Sequence, residues 1–473
     1  MRCPRIAFKG VLRRRDVRAL WFGETVSELG TTVSSLAVPL VAIVALHAGA
    51  FAVSMLMAAA WLPWLLIGLP AGAWVDRLPA RPVMIVADLV AAGSFASVPV
   101  AAALGVLTLA QLLLCALLGG CAAVFFQTAY RVFLPAMIDG PDLAGANALM
   151  HGSQSAAQVG GPGIAGLLAG AVGAVGGVLL NALSFLVSAA CLRSLRDGPQ
   201  QRPTRPRGTL RSEIADGARW LIGDPYQSVL TVWGGLANFA LVGYQAVLVV
   251  FLVHDVRLTP GAVGALMALS SVGGVAGAAV APRLGPRFGT ARAFIGCELV
   301  AAPAALLVPL AAPGPRTALF AVGGFLVIAG VVAGNVLNAT WSQTYVPREL
   351  RGRVCTCSAL VNYGGIPLGA LCAGALAAAL GTHGSIWVMT ALLALCPALL
   401  LVSPLRGHRD FPAAGGDRRR RSRRAAPRSW PVVRVRVAPR SWPVVRVGVA
   451  SRPAWELPGA TADSRLLNSA RRF

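Results

Sequence analysis

Four carboxylic acids stand in stretches of the chain that are otherwise almost entirely apolar. Glu24 and Glu28 lie in the first of these stretches, Asp88 in the third and Glu298 in the ninth. A charged carboxylate at the centre of a membrane costs about 2.5–3.5 kcal/mol, and removal from water favours its neutral, protonated form. Such a group can hold a proton while it is dry and release it when water arrives. The four acids are therefore candidates for coupling proton movement to another process.

The spacing of the first two acids strengthens this interpretation. Residues four apart share one face of a helix, so a proton on Glu24 or Glu28 would change the proton affinity of the other. We expect Glu28 to be the deepest of the four acids. The alternative is that Glu24, Asp88 and Glu298 lie near helix ends, where their side chains reach water or pair with arginines of the loops.

The elements that must position these acids are long apolar helices. The chain has 473 residues, of which 56% are hydrophobic and 13% are charged. A helix that crosses a membrane needs about 20 apolar residues, and continuous rather than alternating apolar runs exclude a β-barrel. We predict an all-α integral membrane protein with about twelve spans, at about 19–46, 51–75, 83–105, 107–129, 148–170, 173–193, 227–253, 259–281, 291–312, 317–342, 355–380 and 384–403.

Arginines divide the breaks between these spans into two alternating groups. One group is rich in arginine and lies near residues 13–18, 77–81, 131, 193–219, 283–292 and 348–353. The other group contains only Arg257 and Arg316 and lies near residues 47, 105, 173, 254, 313 and 383. We call the two sides the arginine-rich end and the arginine-poor end. Because cationic segments stay in the cytoplasm, we predict a multi-pass protein of the cell membrane with both termini cytoplasmic.

Composition also limits the partners and the chemistry. The net charge of +24 would suggest nucleic acid for a soluble protein, but loop arginines and the basic run 418–424 account for it, and no groove-reading module accompanies them. We expect the lipid bilayer, not nucleic acid, as the macromolecular partner. Cys355 and Cys357 have no second Cys or His cluster nearby, which argues against a metal. Without a nucleophile–base pair or a nucleotide-binding Gly-Lys loop, we predict no cofactor and no enzymatic activity.

The apolar region consists of two related halves. Gly72 and Gly277 open similar loop segments 205 residues apart, and Pro162 and Pro367 stand in Gly-rich spans at the same offset. A duplicated six-helix unit is typical of transporters that rock two halves about a central site. The predicted domains are a cytoplasmic arm, an N-terminal six-helix bundle, a cytoplasmic central loop, a C-terminal six-helix bundle and a disordered Arg/Pro-rich tail with a tandem repeat, at 1–18, 19–193, 194–226, 227–403 and 404–473.

Two groups of residues are candidates for the moving parts. Gly72 permits close helix approach, Asp76 can accept hydrogen bonds from a helix N-terminus, and the nearby arginines can hold carboxylates across the interface between the halves. We predict a conformational latch made of Gly72, Asp76, Arg77, Arg81 and Arg131. Proline removes a backbone hydrogen bond and glycine lets helices approach, so we predict hinges at Gly161, Pro162, Gly166 and Pro367.

Uncharged polar and aromatic side chains on the spans are candidates for a substrate cavity. Amides and aromatic rings suit a large amphipathic ligand. The alternative for each residue is an interhelical hydrogen bond or a position at the membrane interface. The candidates are Asn181, Asn238, Gln245, Asn335, Asn338, Trp61 and Trp64.

The loop from Gly72 to Arg81 resembles the signature of the major facilitator superfamily, Gly-x-x-x-Asp-Arg-x-Gly-Arg-Arg/Lys, with Pro79 and Ala80 as departures. The segments 27–30, 134–149, 213–221 and 346–354 narrow the resemblance to the enterobactin-exporter and macrolide-efflux branch, and the last of them runs Val-Pro-Arg-Glu-Leu-Arg-Gly-Arg-Val. The Gly-Gly-Pro-Gly run at 160–163 is similar to the antiporter motif of exporters in this superfamily.

The resemblance implies a secondary exporter, acting as a monomer, that moves a small amphipathic compound by rocker-switch alternating access with proton antiport. A siderophore, a macrolide-like drug or another secondary metabolite would each fit. The alternative is a non-transporting sensor or scaffold of the same fold. The altered loop residues Pro79, Ala80 and Ala281 would favour that alternative. Separately, Cys115 stands about where many proton antiporters carry an arginine, which is a departure from their usual coupling scheme.

Overall fold

The protein is built from helices throughout the part of the chain that its computed structural model describes, residues 14–412 without 76, 139, 197–209 and 347–349. The first half contains α1 Arg15–Leu46, α2 Ala50–Leu66, α3 Gly68–Val75, α4 Ala80–Ala103, α5 Leu109–Met137 and α6 Gly140–Ser194. A connecting helix, α7 Leu210–Gly223, follows. The second half contains α8 Pro225–Val250 with a π-helical turn Phe251–Asp255, α9 Pro260–Phe288, α10 Thr290–Ala304, α11 Thr317–Tyr345 and α12 Arg351–Val402.

Two of these helices are interrupted at a glycine. Gly173 in α6 and Gly381 in α12 have φ angles of 72° and 76°, which lie outside the helical region. Only glycine adopts this region without strain. Each long helix is therefore two helical segments joined at a glycine, and both breaks lie at the arginine-poor end, where the sequence predicts breaks between spans.

Membrane embedding follows from length, composition and exposure. Among the described residues, nine helices are long and apolar enough to cross a membrane, and α2 is a shorter apolar helix. Large apolar side chains such as Leu89, Leu104, Leu269 and Leu395 are exposed on the outside of the protein. On helices long and apolar enough to span a membrane, an exposed apolar surface of this kind indicates contact with lipid. The prediction of an all-helical multi-pass membrane protein is confirmed.

The helices of the two halves pack in corresponding pairs. In the first half α1 packs on α6, and in the second half α8 packs on α12. The pairs α2–α5 and α4–α5 likewise correspond to α9–α11 and α10–α11. The two most extensive contacts between the halves are those of α2 with α12 and of α6 with α9. If the helices of the two halves are matched in order, α2 corresponds to α9 and the first segment of α12 to the first segment of α6, so these two contacts correspond to each other.

The hydrophobic core is continuous at one end of the protein and divided at the other. At the arginine-poor end a single cluster, the shared core, contains residues of both halves, including Leu40, Leu112, Phe251, Ile386 and Met389. At the arginine-rich end the described residues form separate clusters. Of the two largest, one contains only residues 17–195 and the other only residues 226–411. The two halves therefore pack together at the arginine-poor end and part toward the arginine-rich end.

Short polar contacts order the arginine-rich face of the second half. Asp216 of α7 forms a 3.0 Å salt bridge with Arg353 at the start of α12. Asp224 accepts hydrogen bonds from the backbone N–H groups of Tyr226 and Gln227 and so caps α8, and it also accepts one of 2.6 Å from the hydroxyl of Tyr345. The predicted central loop thus contains a helix that is fixed to the second half.

The chain continues to pack against this face after α12. Asp410 accepts a 2.9 Å hydrogen bond from the N–H of Thr290 at the start of α10, and Phe411 stacks on Trp341 with ring centroids 4.8 Å apart. Trp341 donates a 2.9 Å hydrogen bond to the carbonyl of Pro412. The predicted disordered tail was placed from residue 404, and this boundary is too early because aromatic packing and helix capping order residues 404–412. The rest of the predicted tail lies outside the described residues.

Candidate functional site

A small cavity lies inside the first half, toward the arginine-rich end. It has a volume of about 60 Å³, which is room for a few water molecules. Helices α1, α5 and α6 supply its walls. The side chains that line it are two acids, two amides, three hydroxyls and one thioether: Glu24, Glu28, Gln127, Gln154, Thr25, Tyr130, Ser153 and Met150. We call it the acidic cavity, because among its described lining residues no side chain is cationic.

Close packing of α1 on α6 positions the two glutamates. A Cβ atom on Gly23 would lie 2.9 Å from Cβ of Cys191, and one on Gly30 would overlap Ser184. The two glycines therefore bring α1 against the second segment of α6. Glu24 and Glu28 project from another face of α1 and meet α5 and the first segment of α6.

The structure brings a third acid to the same place. Asp88 of α4 is 2% exposed, and its Oδ2 atom has no hydrogen-bond partner in the protein. The carboxyl of Glu24 lies within electrostatic range of both Glu28 and Asp88, and its Oε2 atom also has no partner in the protein. Three acids that the sequence places in two different spans thus form one cluster.

Glu298 lies apart from this cluster, in the second half. It belongs to α10 and is 5% exposed. A Cβ atom on Gly334 of α11 would lie 2.5 Å from its Oε1 atom, so the glycine makes the space for the carboxyl group. Among the described residues, three membrane-span acids therefore group in the first half, and one lies in the second. The roles of all four acids in proton coupling remain predictions.

The predicted latch residues do not meet in one place among the described residues. Arg81 donates hydrogen bonds of 3.0 Å and 2.9 Å to the backbone carbonyls of Leu192 and Arg193, and so caps the end of α6 in its own half. Arg77 and Arg131 are exposed, and a Cβ atom on Gly72 would meet open space. Asp76 lies outside the described residues. The latch therefore stays a prediction.

The predicted hinge residues lie in continuous helix. Gly161 is buried where α6 crosses Thr32 of α1, and Pro367 is buried within α12. The side chains of Pro162 and Gly166 are not among those described. The non-helical residues of α6 and α12 are Gly173 and Gly381, so the hinge also stays a prediction.

Two of the cavity candidates meet at the interface between the halves. Trp61 and Trp64 of α2 lie 5.9 Å and 5.6 Å, between ring centroids, from Tyr363 of α12. Near them, Asn238 of α8 donates a 3.3 Å hydrogen bond to the side chain of Asn362. Asn362 and Tyr363 were not predicted from the sequence, because single amides and aromatic rings are common in membrane helices.

The other cavity candidates are scattered. Asn181 is buried between α1 and α6, where its side-chain oxygen would be 2.9 Å from a Cβ atom on Gly30. Gln245 interacts with the hydroxyl of Tyr244 within α8. Asn335 is exposed, and Asn338 is partly buried with no protein partner for its Oδ1 atom.

Small residues close the arginine-poor end between α2 and α12. A Cβ atom on Gly374 would lie 2.7 Å from Cβ of Ser54, and Ala58 packs with Ala370 one turn further on. Further toward the arginine-rich end, the bulky rings of Trp61 and Tyr363 replace these small side chains. The two helices are therefore in close contact at one end and spaced by aromatic side chains toward the other.

Solved structures of transporters share this arrangement of helices. One is a bacterial homologue of the iron transporter ferroportin in its inward-facing state, with a TM-score of 0.66, 18% sequence identity and coverage of 82% of this chain and 98% of that one. The same homologue in its outward-facing state gives a TM-score of 0.56, again at 18% identity, with coverage of 84% and 100%. The fold is that of a multi-pass membrane transporter.

The family follows from the sequence. The profile of the transmembrane secretion effector family matches residues 9–445, and the chain belongs to that family. A curated relative is the multidrug efflux pump Tap of Mycolicibacterium fortuitum, which is 29% identical over 82% of this chain and 94% of its own length. The predicted membership of the major facilitator superfamily is confirmed. The names of the family and of the relative describe transport proteins and not enzymes.

Proposed function

We propose that the protein is a secondary active exporter of amphipathic small molecules, driven by proton antiport across the cell membrane. The observation that carries this proposal is the pair Glu24 and Glu28 in a water-sized cavity, with Asp88 within electrostatic range of Glu24, in a transporter fold. The relative Tap is named as an efflux pump, which supports export as the direction of transport. A cavity of about 60 Å³ is far too small for a drug-sized ligand, which needs about 300–1,000 Å³. It suits protons and water instead.

The proposed architecture is twelve spans in two six-helix bundles. Helices α2 and α3 together make one span, α6 and α12 make two each, and α1, α4, α5, α8, α9, α10 and α11 make one each. The corresponding helix pairs of the two halves support this arrangement. An even number of spans puts both termini on one side, and the loop arginines favour the cytoplasm for that side. We propose the protein as a monomer, since the site needs residues of one chain only.

Alternating access is the proposed mechanism. The shared core at the arginine-poor end and the divided cores at the arginine-rich end favour a conformation that is open to the cytoplasm. The higher similarity to an inward-facing than to an outward-facing structure of one transporter agrees with it. Rocking of one half against the other would close the cytoplasmic side and open the opposite side.

The substrate would bind between the halves and not in the acidic cavity. Trp61, Trp64 and Tyr363 offer aromatic faces at that interface, and Asn238 and Asn362 offer amide groups. Such a surface suits a molecule with both apolar and polar parts, such as a macrolide-like drug or a siderophore. One proton driven by about 100 mV supplies about 2.3 kcal/mol, which corresponds to a roughly fifty-fold substrate gradient.

Neutralising Glu28 tests the proposal. In inverted membrane vesicles, wild-type protein should accumulate dyes such as ethidium and Nile red when a proton gradient is imposed. Glu28→Gln should lose this accumulation, because the residue can no longer exchange a proton, and should keep downhill dye exchange. Asp255→Asn is the matched control, since Asp255 is an exposed carboxylate outside the cavity. Proton-driven accumulation that survives in Glu28→Gln would refute the coupling role, and a wild-type protein that moves none of the dyes would favour the sensor or scaffold alternative.

A further inference from the structure

Tyr130 of α5 lines the acidic cavity beside the two glutamates. Its hydroxyl is buried, lines the cavity and has no hydrogen-bond partner in the protein. The Glu24 carboxyl lies within electrostatic range of it. Buried polar groups are nearly always hydrogen-bonded, so two orphaned atoms that border one cavity need an explanation.

The other two hydroxyls of the cavity are already engaged. Thr25 donates a 2.7 Å hydrogen bond to the carbonyl of Trp21, and Ser153 donates a 2.9 Å hydrogen bond to the carbonyl of Met150. Tyr130 is therefore the one lining hydroxyl whose proton is not committed to a backbone carbonyl. The remaining lining donors are the neutral amides of Gln127 and Gln154.

The ring of Tyr130 is held in place. It stacks on Phe126, one helical turn earlier, with ring centroids 6.4 Å apart and an angle of 12° between the planes. Phe126 is itself part of the buried core of the first half. A hydroxyl on a fixed ring can form a hydrogen bond with little loss of side-chain freedom, which makes Tyr130 a prepared donor.

The charges around Glu24 show why a donor is needed. Glu28 on the same helix and Asp88 on α4 are both acids, α5 contributes Tyr130, and α6 contributes the neutral Ser153 and Gln154. A negative charge on Glu24 would therefore be repelled by its acidic neighbours. Hydrogen bonds from an O–H group to a carboxylate are short and strong, and the phenol is in place to offset that repulsion.

We propose that the acidic cavity is a water-filled proton-release site in which the hydroxyl of Tyr130 donates to the Glu24 carboxylate, directly or through one water. This inference rests on the proton antiport proposed above. In the release step the O–H bond of protonated Glu24 breaks and the proton passes to a cavity water, which carries it away as hydronium. Tyr130 keeps its own proton and supplies a hydrogen bond only. It is thus a positioning residue, which stabilises the state that remains after the proton has left.

Infrared spectroscopy of the purified protein in lipid tests the inference without any substrate. A protonated carboxyl group has a C=O stretch that disappears on ionisation, and Glu24→Gln identifies the band that belongs to Glu24. We expect Tyr130→Phe to move the midpoint of that band upward by about one pH unit, a tenfold change in proton affinity. Tyr244→Phe is the control, because Tyr244 is a buried tyrosine of α8 in the other half. Tyr130→Phe and Tyr244→Phe each remove only a hydroxyl group and keep the aromatic ring, so both variants should fold.

Three results would overturn the inference. The Glu24 band of Tyr130→Phe could titrate at the same pH as in the wild type, Tyr244→Phe could shift it equally, or Glu24→Gln could remove no titrating band. The transport assay with Glu28→Gln decides the proposed function separately. An active, proton-driven exporter with an unshifted Tyr130→Phe band would refute the role of Tyr130 alone.

Discussion

Replacing Gly374 with alanine should force the two halves apart at the arginine-poor end. The new Cβ atom would lie 2.7 Å from Cβ and 2.9 Å from Oγ of Ser54, and 3.2 Å from a ring carbon of Phe51. Ser54 is fully buried, with 0% of its surface exposed, so its side chain has no free space to move into. The methyl group fits only if α12 and α2 separate.

The size of the effect follows from the cost of overpacking. Extra methyl groups in a packed interior cost about 1–3 kcal/mol. Alanine also gains about 1 kcal/mol over glycine in a helix, but position 374 would be helical in both conformations of the proposed cycle, so that gain would cancel between the two. Because about 1.4 kcal/mol is a factor of ten, the variant should shift the equilibrium roughly 5- to 140-fold away from the conformation closed at this end.

Distances between spin labels would measure the shift. Labels at Val106 and Leu310 report on the arginine-poor end, since both side chains are exposed there and lie in different halves. The native cysteines must first be replaced. Pulsed electron paramagnetic resonance should then show a population at longer distance in the Gly374→Ala variant than in the wild type, because the halves have moved apart where the labels sit.

Two further variants make this test decisive. Gly296→Ala also places a methyl group on a membrane helix, but its Cβ atom meets open space and should leave the distances unchanged. Ser54→Gly combined with Gly374→Ala removes the two closest atoms and should restore the wild-type distribution. If Gly374→Ala gives the same distances as the wild type and Gly296→Ala, the close contact does not control closure and the reasoning is wrong.

Two predictions concern stability and are checked by thermal unfolding in detergent. Gly289 has a φ angle of 89° and lies against the backbone of Arg409, so Gly289→Ala should lower the free energy of unfolding by about 1–3 kcal/mol from backbone strain and by more from the clash. Gly314 has the same φ angle but faces open space, so Gly314→Ala should be less destabilising. Equal destabilisation in the two variants would exclude the contact with Arg409 as a cause. Asp224→Ala should lose at least about 1 kcal/mol as a missing helix cap, whereas Tyr345→Phe, which removes only one of the hydrogen bonds to that carboxylate, should lose less.

Much of the fold could be predicted because a membrane helix is encoded locally. An apolar run of about 20 residues specifies a span by itself, and the predicted breaks near 173 and 383 match the turns at Gly173 and Gly381. Departures occur where tertiary contacts decide. The span predicted at 51–75 is two helices that meet at Ile67, and residues 404–412 are ordered by the side chains of Thr290 and Trp341.

The candidate site was predictable only in part. Each acid stands out against apolar neighbours, so the sequence reveals Glu24, Glu28 and Asp88 one at a time. Their grouping depends on which faces of α1, α4 and α5 meet, and no local pattern contains that information. Tyr130 carried a weak signal, since Gln127 stands three residues before it on the same helix face. A tyrosine in an apolar helix is too common to single out without the cavity.

The contact at Gly374 and the acidic cavity would be linked in the proposed transport cycle, although they lie at opposite ends. Closing the arginine-rich end would remove water from the cavity and so favour protonated acids. By thermodynamic reciprocity, protonation must then favour that closed arginine-rich end and the opening of the contact between Gly374 and Ser54. Antiport requires this sign, because protons would bind from the side on which the substrate leaves. Three membrane-span acids in the first half, against Glu298 in the second, would make the first half the principal site of that coupling.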